Sequence, residues 1–131
     1  MNRTIRPAAR AIAVLLSAIV AAPAFACSDV TFSFANTQGT LIRVNRVTVA
    51  NAATGVQTNF SVFKNCPAGF PCVTPAINLA PAVNVGDNIT GVRFRYQEWT
   101  GSGWSGNYLS PVFAPTLQVC ATHRDYGTYP I

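Results

Sequence analysis

Ionisable side chains are scarce in this 131-residue chain: Asp, Glu, Lys and Arg make up 10% of it, the acids number four, and His123 is the single histidine. Catalytic acid–base pairs, carboxylate metal cages and nucleophilic triads all draw on those residues, so the supply disfavours an enzyme before any motif is read. Basic runs are missing as well. Of the nine Lys and Arg, Arg3, Arg6 and Arg10 fall in a segment that reads as removable, which leaves six against four acids. Phosphate binding needs concentrated positive charge to release counterions, so nucleic acid is not the expected partner. No window carries a sustained helical period, and past residue 26 no apolar run approaches the ~20 residues of a bilayer-spanning helix.

What the chain does have begins at its N-terminus. Three arginines without an acid precede the run AIAVLLSAIVAAP, which ends in Ala24-Phe25-Ala26. That is the three-part pattern of a secretory signal peptide over residues 1–26, bacterial in its Arg- and Ala-rich character, and it makes Cys27 the first residue of the mature chain. A lipid anchor at Cys27 is disfavoured: a lipoprotein signal wants Leu three residues earlier, where Ala24 stands beside bulky Phe25, and lipidation would strand one cysteine. The expected location is therefore the periplasm or the medium, without a transmembrane segment, and the 105 residues of 27–131 have room for one domain.

Four cysteines, Cys27, Cys66, Cys72 and Cys120, are an even number in an exported chain, the usual mark of disulfides in an oxidising compartment. Three pairings are possible. Cys66 and Cys72 close a short loop stiffened by Pro67 and Pro71 and relaxed at Gly69, which favours Cys66–Cys72 and, by elimination, Cys27–Cys120. On the chain-entropy model these contribute about 2 and about 4 to 5 kcal/mol. No metal or other cofactor is expected, since there is no Cys-x-x-Cys pair and His123 has no companion at ligand spacing.

Period-two alternation between turn clusters points to an all-β chain. Val30, Phe32 and Phe34 share one face. Ile42 and Val44 are apolar on even numbers but Val47 and Val49 on odd ones, so parity switches across Asn45-Arg46; a β-bulge or a strand buried on both faces explains it. Val56, Phe60 and Val62 form a third strand with one wet side. Pro75 to Pro81, around Ile77 and Leu79, is an edge or irregular segment. Ile89 to Trp99 alternates most clearly, and strands at Tyr108–Phe113 and Leu117–Ala121 precede an aromatic tail, Tyr126 and Tyr129. About seven strands suggest a small antiparallel two-sheet sandwich, immunoglobulin-like in broad architecture, with a small β-barrel as the alternative. Phe32, Phe34, Val47, Phe60, Val62, Val92, Phe94 and Leu117 are the expected core.

The most informative stretch holds both tryptophans. Alternation puts Trp99 on the polar face with Arg93 and Arg95, and Arg95 is positioned to lie over its ring. Gly101, Gly103 and Gly106 would let Trp104 adapt to a partner, with Tyr108 adjoining. Trp and Arg supply rigid area with a polar handle, so this face reads as a binding site for a protein or a carbohydrate outside the cytoplasm. The competing account is structural: a buried tryptophan, a long hairpin and an ordinary solvated strand face. Three other functions fit some residues. The stapled loop, with Phe70 as anchor, is preorganised to inhibit or escort an extracytoplasmic enzyme or toxin. An unpaired edge strand would suit a surface-assembly subunit, although residues 72–81 make a poor edge. His123 and Asp125, two apart, offer half of a hydrolase triad, and Glu98 with Asp125 a glycosidase pair, but no nucleophile signature accompanies them. Asn59-Phe60-Ser61 and Asn88-Ile89-Thr90 match the glycosylation pattern, and no glycans are expected in a bacterial host.

Overall fold

The computed structural model describes residues 26–115 and 118–131, so the proposed signal segment short of Ala26, and Leu117, lie outside the described residues. Eight strands are present: β1 (Thr31–Ala35), β2 (Ile42–Asn51), β3 (Gln57–Cys66), β4 (Pro71–Val73), β5 (Asn88–Glu98), β6 (Tyr108–Leu109), β7 (Gln118–Val119) and β8 (Asp125–Pro130). They form two sheets, a small one in the order β4-β1-β8 and a large one in the order β3-β2-β5-β6, with β7 also on β5. The architecture is the two-sheet sandwich, and both sheets are open rather than closed into a barrel.

Alternation builds the core. Phe32 and Phe34 of β1, Ile42, Val44, Val47 and Val49 of β2, and Ile89, Val92 and Phe94 of β5 are all fully buried, joined by Val30, Leu79 and Val83. The parity switch in β2 is a bulge: the register slips between Val44 and Arg46 against both neighbours. One extra residue at Asn45 lets valines before and after it face the same core. Phe94 lies at the centre, its ring 5.6 Å from Phe34, 5.7 Å from Tyr129 and 6.3 Å from Phe113.

Several expectations are corrected. Phe60 and Val62 are half-buried against the core rather than inside it, because β3 is an edge strand, and Val56 precedes that strand and is exposed. The strand expected at Tyr108–Phe113 is broken. Its residues track the outer side of β5, with Leu109 opposite Arg95, Phe113 opposite Val92 and Gln118 opposite Ile89. Pro111 and Pro115 have no N–H to give a ladder, and the Ser110 hydroxyl instead accepts the Phe94 N–H at 2.9 Å. The pairing is not wholly antiparallel either: β8 runs parallel to β1. It carries Tyr126 and Tyr129 into the core. The Tyr126 hydroxyl donates to the Val119 carbonyl and accepts the Ala121 N–H.

Both expected disulfides are present. Cys27–Cys120 spans 6.1 Å between Cα atoms and ties the approach to β1 to the link between β7 and β8, while Cys66–Cys72 spans 6.0 Å and joins the end of β3 to β4. Two bridges with no free cysteine fit an oxidising environment.

Candidate binding face

The bulge that serves the core also shapes the opposite side of the large sheet. With Val44 and Val47 both inward, Arg43 and Arg46 both turn outward. On β5 the same alternation turns Arg93, Arg95 and Gln97 outward. Register then sets Arg43 opposite Gln97, Arg46 opposite Arg95 and Thr48 opposite Arg93. Four of the six cations that follow residue 26 thus share one sheet face, although no two of them adjoin in sequence. The scattered arginines become a cluster that linear inspection does not show.

No acid shares that face. Glu98 sits opposite inward-facing Ile42, Asp125 is on β8 of the other sheet, and Asp87 lies in the turn before β5, where it accepts from Asn84 and Asn51. Among the described residues no Lys or Arg lies within salt-bridge distance of a carboxylate, and the one such approach to an acid is that of the His123 imidazole to Asp29. Arg46 and Arg95 therefore confront each other on adjacent strands with no carboxylate between them, and among the described residues the buried Arg46 Nε has no hydrogen-bond partner. Like charges directly opposite are destabilising, so this arrangement is not explained by folding.

The other three guanidiniums are held by neighbours. Arg43 donates through Nε to Asn65 Oδ1 at 3.2 Å, Arg95 through Nε to Asn45 Oδ1 at 2.7 Å, and Arg93 through Nε to the Ser110 carbonyl at 2.9 Å. Each bond fixes the plane of the group through its inner nitrogen and leaves the terminal amino fork outside the contact. Arg43 is further clamped between rings, 4.4 Å from the Phe63 centroid and 3.9 Å from that of Trp104.

Trp99 and Trp104 meet edge to face, with centroids 5.3 Å apart. Trp99 is 38% exposed and Trp104 half-buried beneath Arg43. The cation on a tryptophan is thus Arg43 on Trp104, not Arg95 on Trp99, because Arg95 is occupied by Asn45 of the adjacent strand β2. The glycine-rich stretch is also tighter than a flexible loop. Trp99 and Trp104 bridge, Thr100 N–H donates to the Gly103 carbonyl at 2.9 Å, and Ser105 N–H donates to the Glu98 carbonyl at 2.8 Å. Gly101 supplies the positive φ that the turn needs.

At the other end of the face Ala50 stands opposite Gly91, and two such small residues leave a shallow depression, bordered by Thr48, Gln57, Arg93 and Val112. A Cβ on Gly91 would come within 3.2 Å of Val112 Cγ1. Sequence reading missed Arg43, Arg46 and this depression; the odd-numbered position of Arg43 beside Ile42 was the available signal.

The remaining candidates lie elsewhere. Tyr108 is 47% exposed, but it pairs with inward-facing Tyr96, their rings 5.7 Å apart, and so does not join the arginines. Burial, then the charges of Glu98 and Tyr108, raise the Tyr96 pKa. Phe70 is 56% exposed on the stapled loop, whose backbone is pinned by Asn36: Asn36 N–H donates to the Phe70 carbonyl and Gly69 N–H to the Asn36 carbonyl. His123 Nδ1 lies 3.0 Å from Asp29, whereas Asp125 accepts from the hydroxyls of Thr31 and Ser33 at 2.7 and 2.6 Å. The structure does not bring His123 and Asp125 together, and it puts Glu98 and Asp125 on different sheets. Among the described residues no three His, Cys, Asp or Glu are grouped to hold a metal.

Comparison with known proteins finds no matching family model, curated protein or solved structure, so the reading of this face rests on its own geometry.

Proposed function

We propose that this protein is an exported, disulfide-stapled binding module, without catalytic turnover, that recognises an anionic protein or glycan through the outer face of its large sheet. The observation that carries the reading is the set of four arginines without a carboxylate, with Arg46 set against Arg95. Their mutual repulsion is a cost to the folded chain that the bonds and ring contacts of the individual arginines do not remove. An anionic partner gains, because the forks are oriented in advance and less ordering remains to be done on binding. Trp99, exposed beside them, adds rigid apolar area of the kind that anchors interfaces. The dispersal of His123, Asp125 and Glu98 favours binding over hydrolysis. The N-terminal pattern and the two bridges favour the periplasm or the medium as its place of work.

The test is titration of the oxidised protein with a panel of anionic and neutral glycans and acidic extracytoplasmic proteins, followed by tryptophan emission. Binding is expected from anionic members alone, lost in the double variant Arg93→Glu/Arg95→Glu and kept in Arg124→Glu. Binding that survives the double reversal, or no response from any member, refutes the reading.

A second reading has one observation in its favour. β3 is ten residues long, contains no proline and pairs on one side alone among the described residues, so it offers an open edge to another strand. A surface-assembly subunit would use it. Concentration-dependent oligomers abolished by a proline at Ser61 would support that role, and a monomer at all concentrations would remove it.

A further inference from the structure

We infer that the anionic partner is a carboxylated polysaccharide whose chain lies along β2 and β5 from Trp99 to the depression at Gly91. This rests on the binding-face reading above and specifies its ligand.

The cations form a row rather than a knot. Successive levels of the β2–β5 ladder carry Arg43 with Gln97, Arg46 with Arg95, Arg93 with Thr48, and then Gly91 with Ala50. From Gln97 to Gly91 the row is about 20 Å long, and Arg93 and Arg95 are about 7 Å apart along the strand, at ~3.3 Å per residue. Charges repeated at intervals suit a ligand with one anion per repeating unit. A planar guanidinium whose inner nitrogen is already engaged presents its terminal pair to a planar carboxylate as a two-pronged fork.

Neutral groups fill the spaces between the charges. Asn45, Thr48, Asn59 and Gln97 are outward and hydrogen-bonded among themselves or to the Ser105 carbonyl, which holds their amides and hydroxyls in place for ring hydroxyls. The row ends at one side on the exposed Trp99, an apolar plane for a pyranose, and at the other on the small residues Ala50 and Gly91, bordered by the side chain of Val112. A protein partner fits this face less well, because the core of a protein interface is its most apolar part, whereas here the middle is Arg46 and Arg95 and the exposed apolar Trp99 stands at one end. Nucleic acid would call for more cations than four, spread along a phosphate backbone.

The experiment uses the mature protein with both disulfides intact and galacturonate oligomers as probe, read by calorimetry and tryptophan emission. Dextran, dextran sulfate, single-stranded DNA and an acidic protein are the comparison ligands. Galacturonate oligomers are expected to bind, about tenfold more weakly in Arg93→Gln or Arg95→Gln and unchanged in Arg124→Gln. Arg95→Lys keeps the charge and loses the fork, so it should weaken galacturonate binding while leaving any purely charge-driven binding intact. Circular dichroism shows that each variant is folded. If dextran sulfate, DNA or the acidic protein binds at least as tightly in an Arg95-dependent way, the assignment to a carboxylated polysaccharide is overturned and the binding face stands. If no anionic ligand binds, both fall.

Discussion

Arg46 is where the binding face and the stability of the fold pull in opposite directions, so replacing it should make the protein more stable. In Arg46→Met the unbranched stem still covers the sheet, but the charge and the unpartnered buried Nε disappear. Two unit charges about 6 Å apart in a water-like medium repel by about 0.7 kcal/mol, within the range of cross-strand pairs. Relief of an unsatisfied donor adds about 1 kcal/mol or more. The variant should therefore gain about 1 to 2 kcal/mol, a rise in Tm of several degrees for a domain of this size. Urea unfolding at about 10 mM and 500 mM salt separates the two contributions, since only the repulsion is screened. A double-mutant cycle with Arg95→Met removes the loss of the Arg95–Asn45 bond, which appears equally in both arms, and should leave a coupling of about 0.5 kcal/mol that vanishes at high salt. Destabilisation by Arg46→Met, or no coupling at low salt, would show that the two guanidiniums do not confront each other as the register requires.

Removing Cys66–Cys72 by a double serine substitution should cost about 2 kcal/mol, and removing Cys27–Cys120 about 4 to 5, measured as shifts in urea midpoint; equal costs would contradict the difference in loop length. Phe94→Ala should cost about 3 to 5 kcal/mol, since it empties the centre of an aromatic cluster, and a loss below 1 would place Phe94 outside the core. Burial, reinforced by the charges of Asp125 and Tyr126, pushes the Tyr129 pKa up to about 12. The unfolded chain releases that proton near pH 10, so its contribution to stability is complete below pH 10 and is lost as pH rises toward 12. Tyr129→Phe should flatten the alkaline slope of the unfolding free energy, and an unchanged slope would refute the assignment.

Local patterns carried the sandwich class, the bulge and the disulfide pairing into view. The bulge is visible because parity of apolar residues must switch when one residue is inserted, and Cys66–Cys72 because two prolines and a glycine define a short loop. β8 was hidden for the opposite reason. Its segment DYGTYP has two aromatics three apart and no alternation, and what makes it a strand is parallel pairing with β1, some ninety residues away. Phe60 and Val62 alternate as core residues do, but alternation reports facing and not depth, and depth depends on β3 being an edge. The arginine cluster is legible only from register. Arg43 and Arg46 come from one strand and Arg93 and Arg95 from another, and nothing within either strand says that residue 46 stands opposite residue 95.

The central claim is that the fold gathers an unneutralised positive field around an exposed tryptophan. Because both tryptophans of the chain lie at that face, collisional quenching by iodide and by caesium measures the field directly. At low ionic strength, and relative to their quenching of free N-acetyltryptophanamide, iodide should quench several-fold more effectively than caesium, with the difference collapsing in Arg93→Glu/Arg95→Glu and in high salt. Equal quenching by the two ions, or emission shielded from both, would contradict it.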